Sequence, residues 1–248
     1  MAFGSVKMTH VDGTMHHLGV DESHIAKDII LVPDPLSVPF FAQLLEEAEQ
    51  KGDYREYVTY TGTYKGKPIT VLSSGFGCMP MAIAVEELHH LKAERIVKLE
   101  ACPVIQPEIA CGTVCLCKGA VRGEGASKEY IDLSYPAVPD MTLLAKLNRA
   151  CGKNARLSVF RSHDCANHES PYAAGGMKRV RRWASLGVDV LDGGTSSLYV
   201  VGSILRMQTV SAALVCENYE TGTQLSREET DRGMEKLFLA AAEALTCC

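Results

Sequence analysis

Lys98 and Glu100, two residues apart in "RIVKLEACPVIQPE" (Arg95 to Glu108), are of types and at a spacing that could do chemistry. Ile96, Val97 and Leu99 read as a buried strand that runs into a turn, "LEACPVIQP". In α/β proteins such turns lie at the carboxyl ends of sheet strands, where ligands bind, and glycines there let the backbone approach a phosphate. This turn has an acid and a proline and no glycine. A lysine inside an apolar strand is seldom buried unpaired. Residues two apart share a strand face, so Glu100 is the partner expected for Lys98.

Other chemistry-bearing side chains form weaker patterns. His163, Asp164 and His168 in "SHDCANHESPY" have metal-capable groups, but three ligand types within six residues define no coordination geometry, and a polar loop with no metal is expected. Of ten cysteines, Cys111, Cys115 and Cys117 in "CGTVCLCKG" lack the C-x-x-C knuckle and distant second pair of a zinc site. Cys115 and Cys117 fall on one face of an apolar strand, as buried thiols would. Asp192 either caps the helix that begins near Thr195 or contacts a ligand. The end at Cys247 and Cys248 resembles a double-cysteine prenylation signal, without the polybasic segment that usually accompanies one.

The elements that must position these groups follow from pattern and composition. The 248 residues are 46% hydrophobic and 22% charged, enough for one domain with a sizeable core. A formal charge of -5 gives no basic field for nucleic acid, and the one basic run, "MKRVRRW", reads as a solvated helix face. No apolar stretch is long enough for a bilayer, and the first residues lack the pattern of a secretory leader, so reduced thiols and a cytoplasmic location are expected. Apolar strands alternate with helical patterns, which predicts an α/β fold on a mixed sheet. Strands are expected at "DIILV", "TVCLCKGAV", "ARLSVF", "VDVLD" and "QTVSAALVC", and a hairpin over "REYVTYTGTYKGKPITVLSSG". Helices are expected at "FFAQLLEEAEQKG", "GFGCMPMAIAVEELHHLKA", "MTLLAKLNRACG", "GMKRVRRWASLG" and "SSLYVVGSILRM". The last helix, "SREETDRGMEKLFLAAAEALT", opens with Ser226 and Glu229 spaced as a capping box.

The order and spacing of "HLGV", "VPDPLSV", "REYVTYTGTYKGKPITVLSSGFG", "AIAVEELHHLKAERIV", "IQPEIACGTVCLCKGAVRGEGAS", "YPAVPD" and "SLGVDVLDGGTSSL" resemble the nucleoside phosphorylase superfamily, nearest its uridine phosphorylase branch, from about His17 to Leu245. The resemblance implies an αβα sandwich around a twisted, partly barrel-like mixed sheet. It also implies a homodimer, often built into a trimer of dimers. The reaction implied splits a nucleoside, with phosphate as co-substrate and no other cofactor, into base and ribose 1-phosphate. That chemistry rests on positioning an anion and the sugar hydroxyls around an oxocarbenium-like state.

Carried over position by position, the family's motifs are altered. In the G-D-P-x-R phosphate turn, Pro33 replaces the glycine and Ser37 the arginine, so a charged fork is lost. The arginine that enters the central turn is Lys98. The G-T-[CT]-G loop is Glu100, Ala101, Cys102 and Pro103, which brings a like charge and removes a hydroxyl and an N–H. The ribose-binding E-M-E has become Asp192, Gly193 and Gly194. The base-recognition segment matches only around Asp164. His17 and Arg55 match the residues a neighbouring subunit donates, and Gly75 and Gly77 keep the turn before the first long helix. The leading expectation is a uridine-phosphorylase-like protein whose phosphorolysis is impaired or absent, with a Lys98–Glu100 ion pair filling the emptied phosphate site. One alternative is a pocket rebuilt for another nucleoside or glycoside, with Glu100 and Asp192 as acid/base groups. Another is a non-catalytic dimeric scaffold or sensor of a nucleoside or base.

Overall fold

The computed structural model describes residues 8–165 and 172–247. Among them the chain forms ten strands and seven α-helices. In chain order these are β1 (Asp28–Val32), α1 (Val38–Ala42), β2 (Glu46–Tyr54), β3 (Tyr57–Tyr64), β4 (Lys67–Ser73), α2 (Cys78–His90), β5 (Arg95–Val104), β6 (Val114–Gly123) and α3 (Ala126–Tyr130). They continue with α4 (Met141–Cys151), β7 (Ala155–His163), α5 (Gly176–Ser185), β8 (Val190–Asp192), α6 (Thr195–Ile204), β9 (Gln208–Asn218), β10 (Thr223–Gln224) and α7 (Arg227–Thr246).

All the strands join one mixed sheet in the order β10-β9-β6-β7-β8-β5-β1-β4-β3-β2, with a further pairing of β9 to β5. That pairing closes β5, β9, β6, β7 and β8 into a ring, completed where Val104 lies antiparallel to Val190. β1 and β4 extend the sheet in parallel, and β3 and β2 complete it as an antiparallel meander. Alternating side chains feed two cores. Ile29, Leu31 and Ile96 pack under α2 and α6 with Val85 and Tyr199. Ile30, Val32, Val97 and Leu99 pack on the other face with Phe41, Leu147 and Phe238 from α1, α4 and α7. Helices therefore cover both faces, the predicted αβα sandwich. Cys115 and Cys117 enter the first core and Leu116 the second, as strand alternation requires. Burial pushes both thiols up, Cys117 to about 12.

Two expectations are corrected. The helix expected over "FFAQLLEEAEQKG" ends at Ala42, and Glu46–Tyr54 is an edge strand. Glutamates, alanine and lysine favour a helix locally, but antiparallel pairing to β3 overrides that preference. A charged edge with two register shifts also discourages pairing with another chain. Gly62 permits the close approach: a Cβ there would lie 2.8 Å from the Glu46 carbonyl oxygen and 2.9 Å from Ala48 Cα. Second, "EACPV" is no turn. β5 runs straight through it, with Glu100 opposite Ala213 and Cys102 opposite Val215 on β9, and the register shifts where Pro103 lacks an N–H.

The Ser226 hydroxyl accepts from the Glu229 N–H at 3.2 Å, and the Glu229 carboxylate accepts from the Ser226 N–H at 2.8 Å, so α7 opens with the expected capping box. Ser226→Ala should cost about 1 kcal/mol. For a chain of this size that lowers Tm by about 2–4 °C, read by calorimetry.

Candidate functional site

The site lies where β5 loses a neighbour. β1 pairs with β5 only as far as Lys98, and β8 reaches it only at Val104, so Leu99 to Pro103 have no strand on that edge. Two clefts open there, outside the carboxyl ends of β1 and β5, as expected where a sheet divides. The first, about 580 Å³, is walled by Pro33 and Ser37 after β1, Phe76 before α2, Glu100 and Ala101 on β5, and Arg227 at the start of α7. The second, about 440 Å³, is walled by Phe76, Cys78, Glu100, His163, Asp164, Asp192, Gly193 and Tyr219. Phe76 and Glu100 belong to both clefts. The turn after β1 is stiffened by the Asp34 carboxylate, which accepts the Leu36 N–H at 3.0 Å. Ser37 donates its hydroxyl to the Asp34 carbonyl at 2.7 Å, so its proton is used within the turn.

Behind Glu100 lies a buried charge centre. Lys98 is 2% exposed, and its ammonium donates to the Glu100 carboxylate and to Asp192 Oδ2, the latter at 3.1 Å. Asp192 also accepts from the Ser162 hydroxyl at 2.7 Å, the Thr195 N–H at 2.7 Å and the Gly194 N–H at 3.1 Å. It thus caps the start of α6 and anchors Lys98 with one carboxylate. Burial alone would raise its pKa, but the Lys98 charge and these hydrogen bonds prevail and hold it down at about 2. Burial would likewise depress Lys98, yet Glu100 and Asp192 outweigh it and raise the ammonium above its ordinary value. Gly194 makes room for the lysine stem, since a Cβ there would lie 3.4 Å from Lys98 Cε and 3.4 Å from Met81 Cε.

A second buried carboxylate was not foreseen from the sequence. Glu124, 2% exposed, accepts from the Ser127 N–H at 2.9 Å and the Ser196 hydroxyl at 3.0 Å. The Ser196 N–H in turn donates to Ser162 at 2.8 Å, which links Glu124 to Asp192. No local pattern marks it, because the Ser196 that meets Glu124 lies 72 residues further along the chain.

His17 and Arg55 line neither cleft of their own chain. Glu87 of α2, 1% exposed, accepts His17 Nδ1 at 2.6 Å and the His17 and Leu18 N–H groups at 3.1 Å and 2.8 Å. The imidazole, 37% exposed, is therefore held by one nitrogen. Arg55 sits exposed in the β2–β3 turn at φ +56°, its guanidinium 5.3 Å from the Tyr54 ring. Tyr54 packs edge-on to His10, which stacks on His16, so the segments bearing His17 and Arg55 meet. At Gly75, with φ +69°, a Cβ would come within 2.9 Å of Pro80 and Glu56. Asp164 accepts the Gly125 N–H at 2.8 Å, and among the described residues no group of three metal-capable side chains converges. His168 and Cys248 lie outside the described residues.

This geometry matches a known fold family. The sequence profile of the Phosphorylase superfamily fits residues 27–246. The chain belongs to the phosphorylase superfamily. It is 32% identical over 248 residues to a uridine phosphorylase of Treponema pallidum, covering 97% of this chain and 96% of that protein. A guanosine phosphorylase of Halorubrum lacusprofundi is 36% identical over 226 residues, 89% of this chain and 90% of its own length. The crystal structure of uridine phosphorylase from Vibrio fischeri superimposes with a TM-score of 0.84 at 29% identity, over 96% of this chain and 99% of that one. In this member of the phosphorylase superfamily, the positions assigned by resemblance to phosphate and ribose, Pro33, Ser37, Lys98, Glu100, Ala101 and Asp192 to Gly194, all gather around the two clefts or directly behind them.

Because the folded pKa of Asp192 is lower than its unfolded value of 3.8, its stabilisation is present above pH 3.8 and is lost as pH falls toward about 2. Asp192→Asn should remove roughly 2 kcal/mol of that acid-limb dependence in urea unfolding. Lys98→Met, which strands two carboxylates, should cost about 3–5 kcal/mol at neutral pH.

Proposed function

We propose that this chain is a single-domain, uridine-phosphorylase-like subunit in which phosphorolysis of a nucleoside to base and ribose 1-phosphate is impaired or lost. The carrying observation is the fate of Lys98. The cation at the position where relatives present an arginine is withdrawn from solvent and neutralised by Glu100 and Asp192. Ser37 brings no charge and spends its proton within its turn. The other cation of the first cleft, Arg227, has a side chain 97% exposed and lies 4.0 Å from Asp231, a solvated geometry with little hold on an anion. Gly194 offers no carboxylate to ribose hydroxyls. Removing even one donor aimed at developing negative charge typically costs about a hundredfold to a thousandfold in rate, and several are missing here.

A rebuilt pocket is the second reading, favoured by Glu100. Its side chain is 16% exposed and stands at the junction of both clefts, so it can meet a ligand while paired to Lys98. Asp192 is a weaker acid/base candidate, held ionised by four donors and fully buried. The ligand class under either reading is a nucleoside or a base. That His17 and Arg55 line neither cleft of their own subunit supports a homodimer in which each faces the neighbour, with a trimer of dimers as the larger assembly. Cys78, Cys102, Cys115 and Cys117 are buried free thiols, which fits a reducing cytoplasmic setting.

Uracil release from uridine with phosphate, measured beside an active uridine phosphorylase, should fall at least about a hundredfold below it. Turnover at the active enzyme's rate would sink the proposal. Glu100→Gly combined with Ala101→Thr should be harmless or raise activity if phosphorolysis has been lost. Under the rebuilt-pocket reading the same change abolishes binding of the stabilising nucleoside or base in a thermal-shift panel.

A further inference from the structure

Beside the second cleft, β7 and α5 hold two guanidiniums that no step of phosphorolysis uses. Arg161 lies on β7 between Val121 of β6 and Leu191 of β8. Its neighbour Ser162 points to the opposite face, toward Asp192, while His163, on the Arg161 face, walls the second cleft. Arg161 is 8% exposed, and its guanidinium carbon lies 5.0 Å from the ring of Trp183, the only tryptophan of the chain. Gly123, at the end of β6, makes space for it: a Cβ there would fall 2.7 Å from Nη2. Leu191 and Tyr219 belong both to the apolar cluster on this face and to the wall of the second cleft, so the two regions are continuous.

A buried arginine is ordinarily held by a carboxylate in a bidentate fork. Among the described residues none pairs with Arg161, and its Nε is buried with no hydrogen-bond partner. The charge that reaches it is another cation, Arg179 of α5, whose own Nη2 is buried and without a partner. Burial first, and Arg179 second, push the Arg161 pKa down, as expected of a cation that lacks its counterion. The rest of the basic run behaves otherwise: Lys178, Arg181 and Arg182 are exposed, and Arg181 pairs with Glu220 at 3.0 Å. Arg179 alone of these turns inward.

We propose that Arg161 and Arg179, walled by Trp183, form a binding site for the oxyanion group, phosphate or carboxylate, of a small molecule. An oxyanion supplies what both forks lack: lone pairs in the plane of the guanidinium and charge to offset two cations. The site is independent of the phosphorolysis reading, because none of its residues is one of the phosphate or ribose positions around the two clefts.

Trp183 reports on the site directly. The full chain is titrated with inorganic phosphate and, separately, with acetate, at constant ionic strength set with chloride, and tryptophan emission is followed. The expected result is a saturable change that chloride does not produce. Saturation by phosphate alone assigns a phosphate-bearing ligand, and saturation by both anions admits a carboxylate. Arg179→Gln, on an accessible helix, should weaken the apparent affinity at least tenfold while circular dichroism stays native, and Arg179→Lys should restore part of it. Ser37→Ala, in the first cleft, should leave the titration unchanged. No saturable change with either anion, a change undiminished in Arg179→Gln, or one lost in Ser37→Ala would overturn the site.

Discussion

The buried ammonium of Lys98 is the constraint on which the centre of this molecule depends. An isolated ammonium in the core is untenable, and a lone carboxylate beside it no less so, but together with hydrogen bonds they form a stable unit. Two carboxylates meet one cation here, and the excess negative charge at Asp192 is absorbed by Ser162 and by the N–H groups at the start of α6. The positive end of that helix contributes in the same sense. β5, β7, β8 and α6 are thereby joined by one polar knot inside an otherwise apolar interior. Removing Lys98 would leave two carboxylates without compensation, so the knot behaves as a structural element rather than as a set of loose active-site groups.

The architecture explains where ligands can enter. β5 pairs with β9 along its whole length and with β1 only as far as Lys98, beyond which the ring and the open part of the sheet diverge until β8 rejoins it at Val104. Strand edges left there can face a ligand, which is why both clefts share Glu100. Aromatic and apolar walls from Phe76, Phe40 and Tyr219 fit the flat face of a base better than a multiply charged anion. Cations near the clefts are either neutralised, as Lys98 is, or solvated, as Arg227 is. The uncompensated positive charge lies instead at Arg161 and Arg179.

Much of this was legible in the sequence. Strand alternation placed Lys98 with Glu100, separated Cys115 and Cys117 from Leu116, and set Asp192 at the head of a helix, because each rests on local geometry. The segment Glu46–Tyr54 was misread because its residues favour a helix, and only long-range pairing to β3 decides otherwise. The stretch at Glu100 to Pro103 was misread for a related reason: a proline suggests a break, but opposite a register shift on β9 its missing N–H has no cost. Glu124 and Arg161 left no local trace, since what makes them notable is the company brought to them by β6, β7 and the start of α6.

The changes around Lys98 are also coupled to one another, which bears on how such a site changes. Gly194 leaves the space that the Lys98 stem occupies, with a Cβ at that position already in van der Waals contact with Lys98 Cε and Met81 Cε. A carboxylate side chain restored at residue 194 alone would press against that stem and add a third acid beside one cation. An arginine restored at residue 98 alone would bring a larger planar fork to a space shaped for a tapering ammonium, with Glu100 and Asp192 as its nearest partners. Glu100, in turn, is tolerated in a half-buried position because Lys98 faces it. Each of these residues is accommodated by the others, and a single change among them meets a packing or charge penalty. The positions around Lys98 therefore form one cooperative unit.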